Sequence, residues 1–167
     1  MKPPRFFPLP INIGTDICQI SRIQAIVSGP RGSRFVDRIL APEERQTMKQ
    51  RGLDVAESKN RESQSYADDL RKQAAFLAGR FAAKEAAIKA HSHRRLTFHD
   101  VIIEPRRNLL PEVSGSRLGS GPPVARIKGK TEADEDETAM VSISHDGDYA
   151  TAVVLAHDPS VTRAPEA

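Results

Sequence analysis

Three polar residues of this sequence stand where they could do chemistry: Asp16, Glu85 and His145. Asp16 lies at the predicted end of a strand, Glu85 beside the apolar stripe of a predicted helix, and His145 at the end of a strand near the C-terminus. Two carboxylates without further His or Cys ligands at short spacing favour a hard cation bound by oxygens. Mg²⁺ fits best, because it commonly takes one or two carboxylates and completes its shell with water and substrate phosphates.

Each of these residues also has a structural interpretation, and the pattern alone leaves both open. An Asp at a strand-to-helix junction is commonly a helix N-cap. Glu85 and Lys89 stand four residues apart and could form a surface ion pair worth only about 0.2–0.5 kcal/mol. A histidine at a strand end, such as His145, is more often structural than catalytic.

Residues 79–90 predict the helix that must position Glu85. After Gly79 they contain neither Gly nor Pro, and five of them are Ala, which is typical of a strong helix. Around this helix Lys89 lies within about 40° of Glu85, whereas Arg80 lies about 140° away. If Arg80 and Glu85 bind one ligand, a second copy of the chain must contribute, as in a symmetric oligomer. Apolar residues spaced by three, four and seven extend the helix over roughly 66–91: Leu70, Ala74, Leu77, Phe81 and Ile88.

The remaining segments predict strands before and after a group of helices. Strands are expected at 11–17, 96–104, 124–128, 139–145 and 149–156. Besides the long helix, helices are expected at 17–27 and 34–40, and another begins at residues 41–44. This order implies an α+β domain with helices packed on one antiparallel sheet. We expect an extended arm at 1–10, a single domain at 11–157 with insertions at about 51–65 and 106–137, and a flexible tail at 158–167.

Composition excludes several classes of protein. One cysteine, Cys18, rules out an internal disulfide framework, and we expect it to be a small buried hydrophobic residue. No apolar run is long enough to span a membrane. The net charge of +3 favours acidic partners, but zinc spacings and nucleic-acid motifs are missing, which argues against nucleic-acid binding. The expected location is intracellular, either mitochondrial or cytoplasmic.

Three segments resemble the motifs of the holo-acyl-carrier-protein synthase family, whose members are small 4′-phosphopantetheinyl transferases. Residues 14–16 followed by 22–23 resemble the opening motif of that family. Residues 76–86 are similar to its central helix motif nearly letter for letter, and residues 142–145 followed by 149–150 match its closing motif. The three motifs occur in the same order and cover most of the chain.

The resemblance implies an activity, an assembly and a metal site. Coenzyme A would donate its 4′-phosphopantetheine group to a serine of apo acyl carrier protein, releasing adenosine 3′,5′-bisphosphate, as in fatty acid biosynthesis and lipid metabolism. The family fold implies a homotrimer with active sites between subunits. By position Asp16 and Glu85 would hold Mg²⁺, which would polarise the attacked phosphate. The group that deprotonates the carrier serine stays open, with Glu85 or a water on the metal as candidates.

The resemblance also assigns residues to coenzyme A and to the carrier protein. Lys89 matches a catalytic lysine near the phosphates and Lys84 one beside the metal ligand, whereas Arg80 and His145 match residues near the 3′-phosphate. Further basic coenzyme contacts are expected at Arg71 and Lys72. An acidic helix of the carrier protein is expected to dock on Arg22, Arg31 and Arg34, although these arginines could also form an ordinary solvated basic face.

The chain departs from the compact family members in its two insertions, whose role the sequence does not indicate. Where larger, two-repeat transferases carry another acid two residues after the first, this chain has Cys18, which favours the small trimeric class. The main alternative is a non-catalytic module of the same fold that binds coenzyme A or the carrier protein. A basic nucleic-acid-binding domain is a third possibility, but it does not explain Glu85.

Overall fold

A computed structural model of the chain describes residues 9–54, 64–106, 122–131 and 133–159. Most of the predicted arm, both insertions in part and most of the predicted tail lie outside these residues. The elements, in chain order, are β1 (Ile11–Gln19), α1 (Ile20–Val27), α2 (Gly32–Ile39), α3 (Pro42–Gln50), α4 (Gln64–Ala90), β2 (Val101–Pro105), β3 (Pro123–Ile127), β4 (Glu137–Asp146) and β5 (Tyr149–His157).

The strands form one antiparallel sheet in the order β1-β5-β4-β3-β2. The 27-residue helix α4 lies across it and packs mainly on β1, β5 and β4, while α1 packs against α4. This arrangement confirms the predicted α+β fold with helices on one antiparallel sheet. The α4 helix also confirms the helix predicted over 66–91, with small differences at its ends. Within the described residues no helix is long and apolar enough to cross a membrane.

The two faces of the sheet differ in what covers them. Small and aliphatic side chains of the inner face pack under α4, among them Ala150, Ala152 and Val154, which are at most 1% exposed. Cys18 belongs to this face and is 1% exposed, which confirms that it is a buried residue. The outer face of the same strands carries exposed apolar side chains. Residues directly opposite in the ladder share a face, so these outer side chains form continuous rows across β1, β5 and β4.

Strand β1 corrects the predicted position of Asp16. The strand was expected to end there, but it continues to Gln19, and Asp16 pairs with Ala152 of β5 in its interior. Helix α1 begins only at Ile20. The alternative that Asp16 caps a helix is therefore wrong.

Two other predicted boundaries are also corrected. The strand expected from residue 96 begins at Val101, because the carboxylate of Asp100 accepts hydrogen bonds from the backbone N–H and the hydroxyl of Thr97 and closes a turn. The last strand was expected to end at residue 156, but it includes His157, which pairs with Ile11.

Candidate functional site

Backbone contact between β1 and α4 brings the predicted metal ligands to one place. A Cβ on Gly14 would lie 1.9 Å from the carbonyl oxygen of Ala86 and 2.8 Å from the amide nitrogen of Ala90. Only a residue without a side chain permits this approach. Asp16 follows two residues later on the same face of the strand and therefore also faces the helix.

The carboxylate of Asp16 is only half satisfied within the described structure. Its Oδ1 accepts a hydrogen bond from Nζ of Lys89 at 2.8 Å, and the same ammonium donates to the carbonyl oxygen of Thr15 at 3.0 Å. Its Oδ2 is buried and has no hydrogen-bond partner among the described residues. A buried carboxylate oxygen without a partner is costly, and such an atom indicates a ligand that completes its shell.

Glu85 lies one helical turn before Lys89 and is half-buried. Strand β1 passes the same part of the helix, because Gly14 meets the backbone of Ala86 and Asp16 contacts Lys89. Asp16 therefore lies beside the turn that carries Glu85 and Lys89. No hydrogen bond or ion pair joins the carboxylate of Glu85 to any other residue that the structure describes. Lys89 pairs with Asp16, so the surface pair between Glu85 and Lys89 is not the arrangement formed.

The donor set fits a hard divalent cation. Asp16 supplies an oxygen without a partner, and Glu85 supplies a carboxylate that no described cation neutralises. In the described part of the chain no group of three or more His, Cys, Asp or Glu side chains could hold a metal ion. A cation here would therefore take two protein carboxylates and fill its shell with water and phosphate oxygens, as Mg²⁺ does.

Lys84 lies away from this site, which corrects its predicted position. Its side chain is fully buried, and its ammonium donates to Oε2 of Glu44 and to the carbonyl oxygens of Ile39 and Phe98, both at 2.8 Å. An ammonium has three N–H donors, and all three are used. The predicted contact between Lys84 and a coenzyme phosphate has no donor available in this arrangement.

Sequence reasoning missed Glu44, the partner of Lys84. Its Oε2 also accepts from the backbone N–H of Ala41 at 3.0 Å, and its Oε1 accepts from that of Ile103 at 3.1 Å. In the sequence Glu44 is only one of two acids in the first turn of a helix, a pattern typical of solvated residues. Glu44 and Lys84 are 40 positions apart, so no spacing in the sequence indicates that they form a pair.

Arg80 also turns towards Glu44. Its Nε lies 3.8 Å from Oε1 of Glu44, its guanidinium lies 4.6 Å from the ring centroid of Phe76, and its side chain is 13% exposed. Burial lowers the pKa of Arg80 and of Lys84, and the carboxylate of Glu44 opposes both shifts. We call Glu44, Lys84 and Arg80 the buried ion cluster.

His145 lies at the end of β4, against the middle of α4. Its Nε2 is 3.1 Å from the carbonyl oxygen of Ala75. A Cβ on Gly79 would lie 2.9 Å from the same nitrogen, so this glycine leaves the space that the imidazole fills. Ten residues of helix separate Gly79 from Lys89, a distance of about 15 Å along the axis. One chain therefore places His145 well away from the Asp16 carboxylate.

The other predicted basic residues lie on the surface. Arg71 donates to the carbonyl oxygen of Gly147 at 3.3 Å, and Lys72 pairs with Asp69 at 3.0 Å. The three arginines predicted to dock the carrier protein are exposed on α1, on α2 and on the residue before α2: Arg22, Arg34 and Arg31.

Asp148, in the turn between β4 and β5, caps α1 and was not predicted. Its carboxylate accepts from the backbone N–H of Ser21 at 3.0 Å, from the Ser21 hydroxyl at 2.6 Å and from Nε2 of Gln19 at 2.9 Å. The hydrogen bond from Ser21 contributes most to lowering the pKa of Asp148. The only hint in the sequence was the short connection between the strands predicted at 139–145 and 149–156.

The fold and the paired carboxylates define the class of protein. The family model described as "4'-phosphopantetheinyl transferase superfamily" matches residues 12–154. The chain therefore belongs to the 4′-phosphopantetheinyl transferase superfamily. Within that superfamily its similarity extends to the holo-acyl-carrier-protein synthases, the group that the three sequence motifs resemble.

Individual relatives support this membership over most of the chain. The chain is 36% identical over 155 residues to "4'-phosphopantetheinyl transferase B, mitochondrial" of Aspergillus fumigatus, covering 90% of this chain and 95% of the relative. It is 33% identical over 148 residues to "Holo-[acyl-carrier-protein] synthase" of Geobacillus kaustophilus, covering 87% of each chain. Among solved structures, a holo-(acyl-carrier-protein) synthase of Bacillus anthracis in complex with CoA (3',5'-ADP) matches with a TM-score of 0.53 and 26% identity, covering 88% of this chain and 96% of that one.

Proposed function

We propose that the chain is an Mg²⁺-dependent holo-acyl-carrier-protein synthase. It transfers the 4′-phosphopantetheine group of coenzyme A to a serine of apo acyl carrier protein and releases adenosine 3′,5′-bisphosphate. The observation that carries this proposal is the carboxylate pair at the contact of β1 and α4, where Asp16 keeps a buried oxygen without a described partner beside Glu85. A solved relative bound to coenzyme A, with a TM-score of 0.56, supports the coenzyme as substrate.

Each residue of the pair has a role in the transfer. Asp16 and Glu85 would hold the Mg²⁺, which when bound polarises the phosphate under attack. The serine oxygen forms a bond to the phosphorus that carries pantetheine, and the bond from that phosphorus to the adenosine bisphosphate oxygen breaks. The serine proton passes to Glu85, the proton acceptor proposed here. The side chain of Lys89 is 51% exposed. Its ammonium can stabilise the negative charge that develops on the leaving group.

A homotrimer is supported by the outer face of the sheet. In that face Ile13, Leu155 and Met140 lie opposite one another across three strands, and Ile13 and Met140 are 68% and 67% exposed. An apolar patch of this kind marks an interaction surface. We assign it to further copies of the chain, because His145 lies too far along α4 to share a small site with Lys89 of its own chain. Ile13→Lys should then yield monomers in size-exclusion chromatography with light scattering, and an unchanged assembly would contradict this assignment.

The surface around α1 is proposed to dock the carrier protein. Arg22, Arg31 and Arg34 are exposed there, and an acidic partner helix would be attracted to them. Coenzyme contacts are proposed for His145, Arg71 and Lys72. Arg80 is proposed as a further contact, since only its Nε lies near Glu44, at 3.8 Å, and a guanidinium has further N–H donors.

A mitochondrial location is favoured over a cytoplasmic one by the fungal relative, which is named as mitochondrial. The full chain fused to a fluorescent protein at its C-terminus tests this proposal. Fluorescence that follows a mitochondrial dye would support it, and diffuse fluorescence would favour the cytoplasm.

Transfer of labelled pantetheine from coenzyme A to apo acyl carrier protein tests the activity directly. Wild-type protein should modify a carrier only with Mg²⁺, and Asp16→Asn should abolish the transfer. Glu43→Gln is the matched control, since this exposed acid lies in the first turn of α3. Coenzyme binding without transfer to any apo carrier would favour the alternative, a non-catalytic binding module.

A further inference from the structure

We propose that Glu44 is a positioning residue for the metal site. Through Lys84 it fixes the rotation of α4 about its axis, and this rotation points Glu85 and Lys89 at Asp16. The inference rests on the proposed function, because it assumes that Asp16 and Glu85 bind the cation. Glu44 itself contacts neither of them in the structure.

The carboxylate of Glu44 is held by backbone on two sides. It is 2% exposed, and its two oxygens accept from the N–H groups of Ala41, which precedes α3, and of Ile103 in β2. The backbone at the start of a helix and in a paired β-strand does not rotate freely, although β2 is the edge strand of the sheet. Glu44 is therefore a fixed point of the framework rather than a flexible surface acid.

Lys84 connects this fixed point to α4. Its other two donors bind the carbonyl oxygens of Ile39, at the end of α2, and of Phe98, in the turn before β2. The side chain is thus held by three acceptors from three separate segments. A buried ammonium with all donors used cannot shift without leaving at least one acceptor unpaired, which is costly.

The opposite side of α4 is held by the contact with Gly14. Around the helix, Ala86 and Ala90, which touch Gly14, lie about 200° and 240° from Lys84. Glu85 and Lys89 lie between the two contacts, about 100° and 140° from Lys84. The contact of Lys84 with Glu44 and the contact with Gly14 therefore restrain α4 on both sides of Glu85 and Lys89. Glu85 also directly follows Lys84 in the chain.

Stability alone is a weak reason for such a pair. Replacing a buried ion pair by apolar side chains of similar volume is often neutral or stabilising. Outer contacts that orient metal ligands, in contrast, typically change metal affinity by about 10–100-fold when they are removed. The two roles can therefore be separated by a variant that keeps the fold and loses the hydrogen bonds.

The double variant Glu44→Leu with Lys84→Met is that test, with Glu43→Gln as the matched control. Mn²⁺ binding in the presence of coenzyme A is measured by electron paramagnetic resonance, and folding by urea denaturation. We expect the double variant to fold cooperatively, with a lower free energy of unfolding because four backbone groups lose their hydrogen-bond partners. Its dissociation constant for Mn²⁺ should rise about 10-fold or more, while the control is unchanged.

Three outcomes would count against the inference. A folded double variant that binds Mn²⁺ like wild type would overturn it and leave the proposed function standing. Wild-type protein that binds no Mn²⁺ would overturn the proposed metal site and the inference with it. If the double variant fails to fold, Glu44→Gln provides the decision, because it keeps the shape and weakens the hold on Lys84; unchanged Mn²⁺ binding in that variant would overturn the inference.

Discussion

The two sides of α4 carry similar residues in opposite conditions. On one side Lys84 meets the carboxylate of Glu44 in the interior, and both groups have their hydrogen bonds satisfied. On the other side Lys89 meets the carboxylate of Asp16 at a partly exposed edge, and one oxygen of Asp16 has no described partner. The pair of Lys84 with Glu44 therefore stabilises the fold, whereas the pair of Lys89 with Asp16 leaves a carboxylate oxygen available to a ligand.

The largest expected effect separates the two sides by activity. Glu85→Gln should lower kcat/KM on the order of 1,000-fold, since a metal ligand contributes several kcal/mol to the transition state. Its stability should stay within about 0.5 kcal/mol of wild type, because Glu85 has no described partner to lose. Steady-state kinetics and urea denaturation measure the two quantities. A variant that unfolds readily would place Glu85 among the structural residues instead.

The next effect separates the sides by stability. Lys84→Met should lower the free energy of unfolding by about 3–5 kcal/mol, because it leaves the buried carboxylate of Glu44 without its cation. Lys89→Met is the matched variant on the other side and should change stability by no more than about 1 kcal/mol, since its ion pair is half exposed. Urea denaturation compares them. Equal losses in both variants would remove the distinction between the two sides.

A smaller effect comes from the contact between Gly14 and α4, on the side of the helix where Lys89 meets Asp16. Gly14→Ala places a methyl group where the backbone of Ala86 stands, so β1 and α4 must move apart at a cost of about 1–3 kcal/mol. Activity should fall as well, because Asp16 moves away from Glu85. Gly29→Ala is the control, since its Cβ would meet the nearest described atom at 3.4 Å. Stability and activity equal to those of wild type in Gly14→Ala would contradict the close contact.

The side of α4 where Lys89 meets Asp16 was largely predictable from the sequence, whereas the side where Lys84 meets Glu44 was not. Periodicity located the helix, and the motifs singled out Asp16, Glu85 and Lys89, which the structure brings to the contact of β1 and α4. The motifs also singled out Lys84 but not its partner, since Glu44 is distant in sequence and has the pattern of a solvated first-turn acid. Hydrogen bonds that close turns, such as that of Asp100, and caps from distant loops, such as Asp148, depend on the assembled fold and leave no periodic signal.

The last and smallest effect extends the comparison to an acid outside the helix, Asp148, which caps α1. The hydrogen bonds from Ser21 hold the pKa of Asp148 below its usual range. A lowered pKa in the folded state means that the charged carboxylate stabilises the fold above the unfolded-state pKa of about 3.9, and that this stabilisation is lost as pH falls through the lower folded-state value.

Asp148→Asn should therefore be less stable than wild type at pH 6, and the difference should shrink as the pH falls below about 4. Urea denaturation at a series of pH values measures this difference, with Asp146→Asn, in the same hairpin, as the control. A difference that stays constant down to pH 3 would mean that the cap acts without its charge. A difference that fades would show that the charge of Asp148 stabilises the start of α1, in addition to its hydrogen bonds from Ser21 and Gln19.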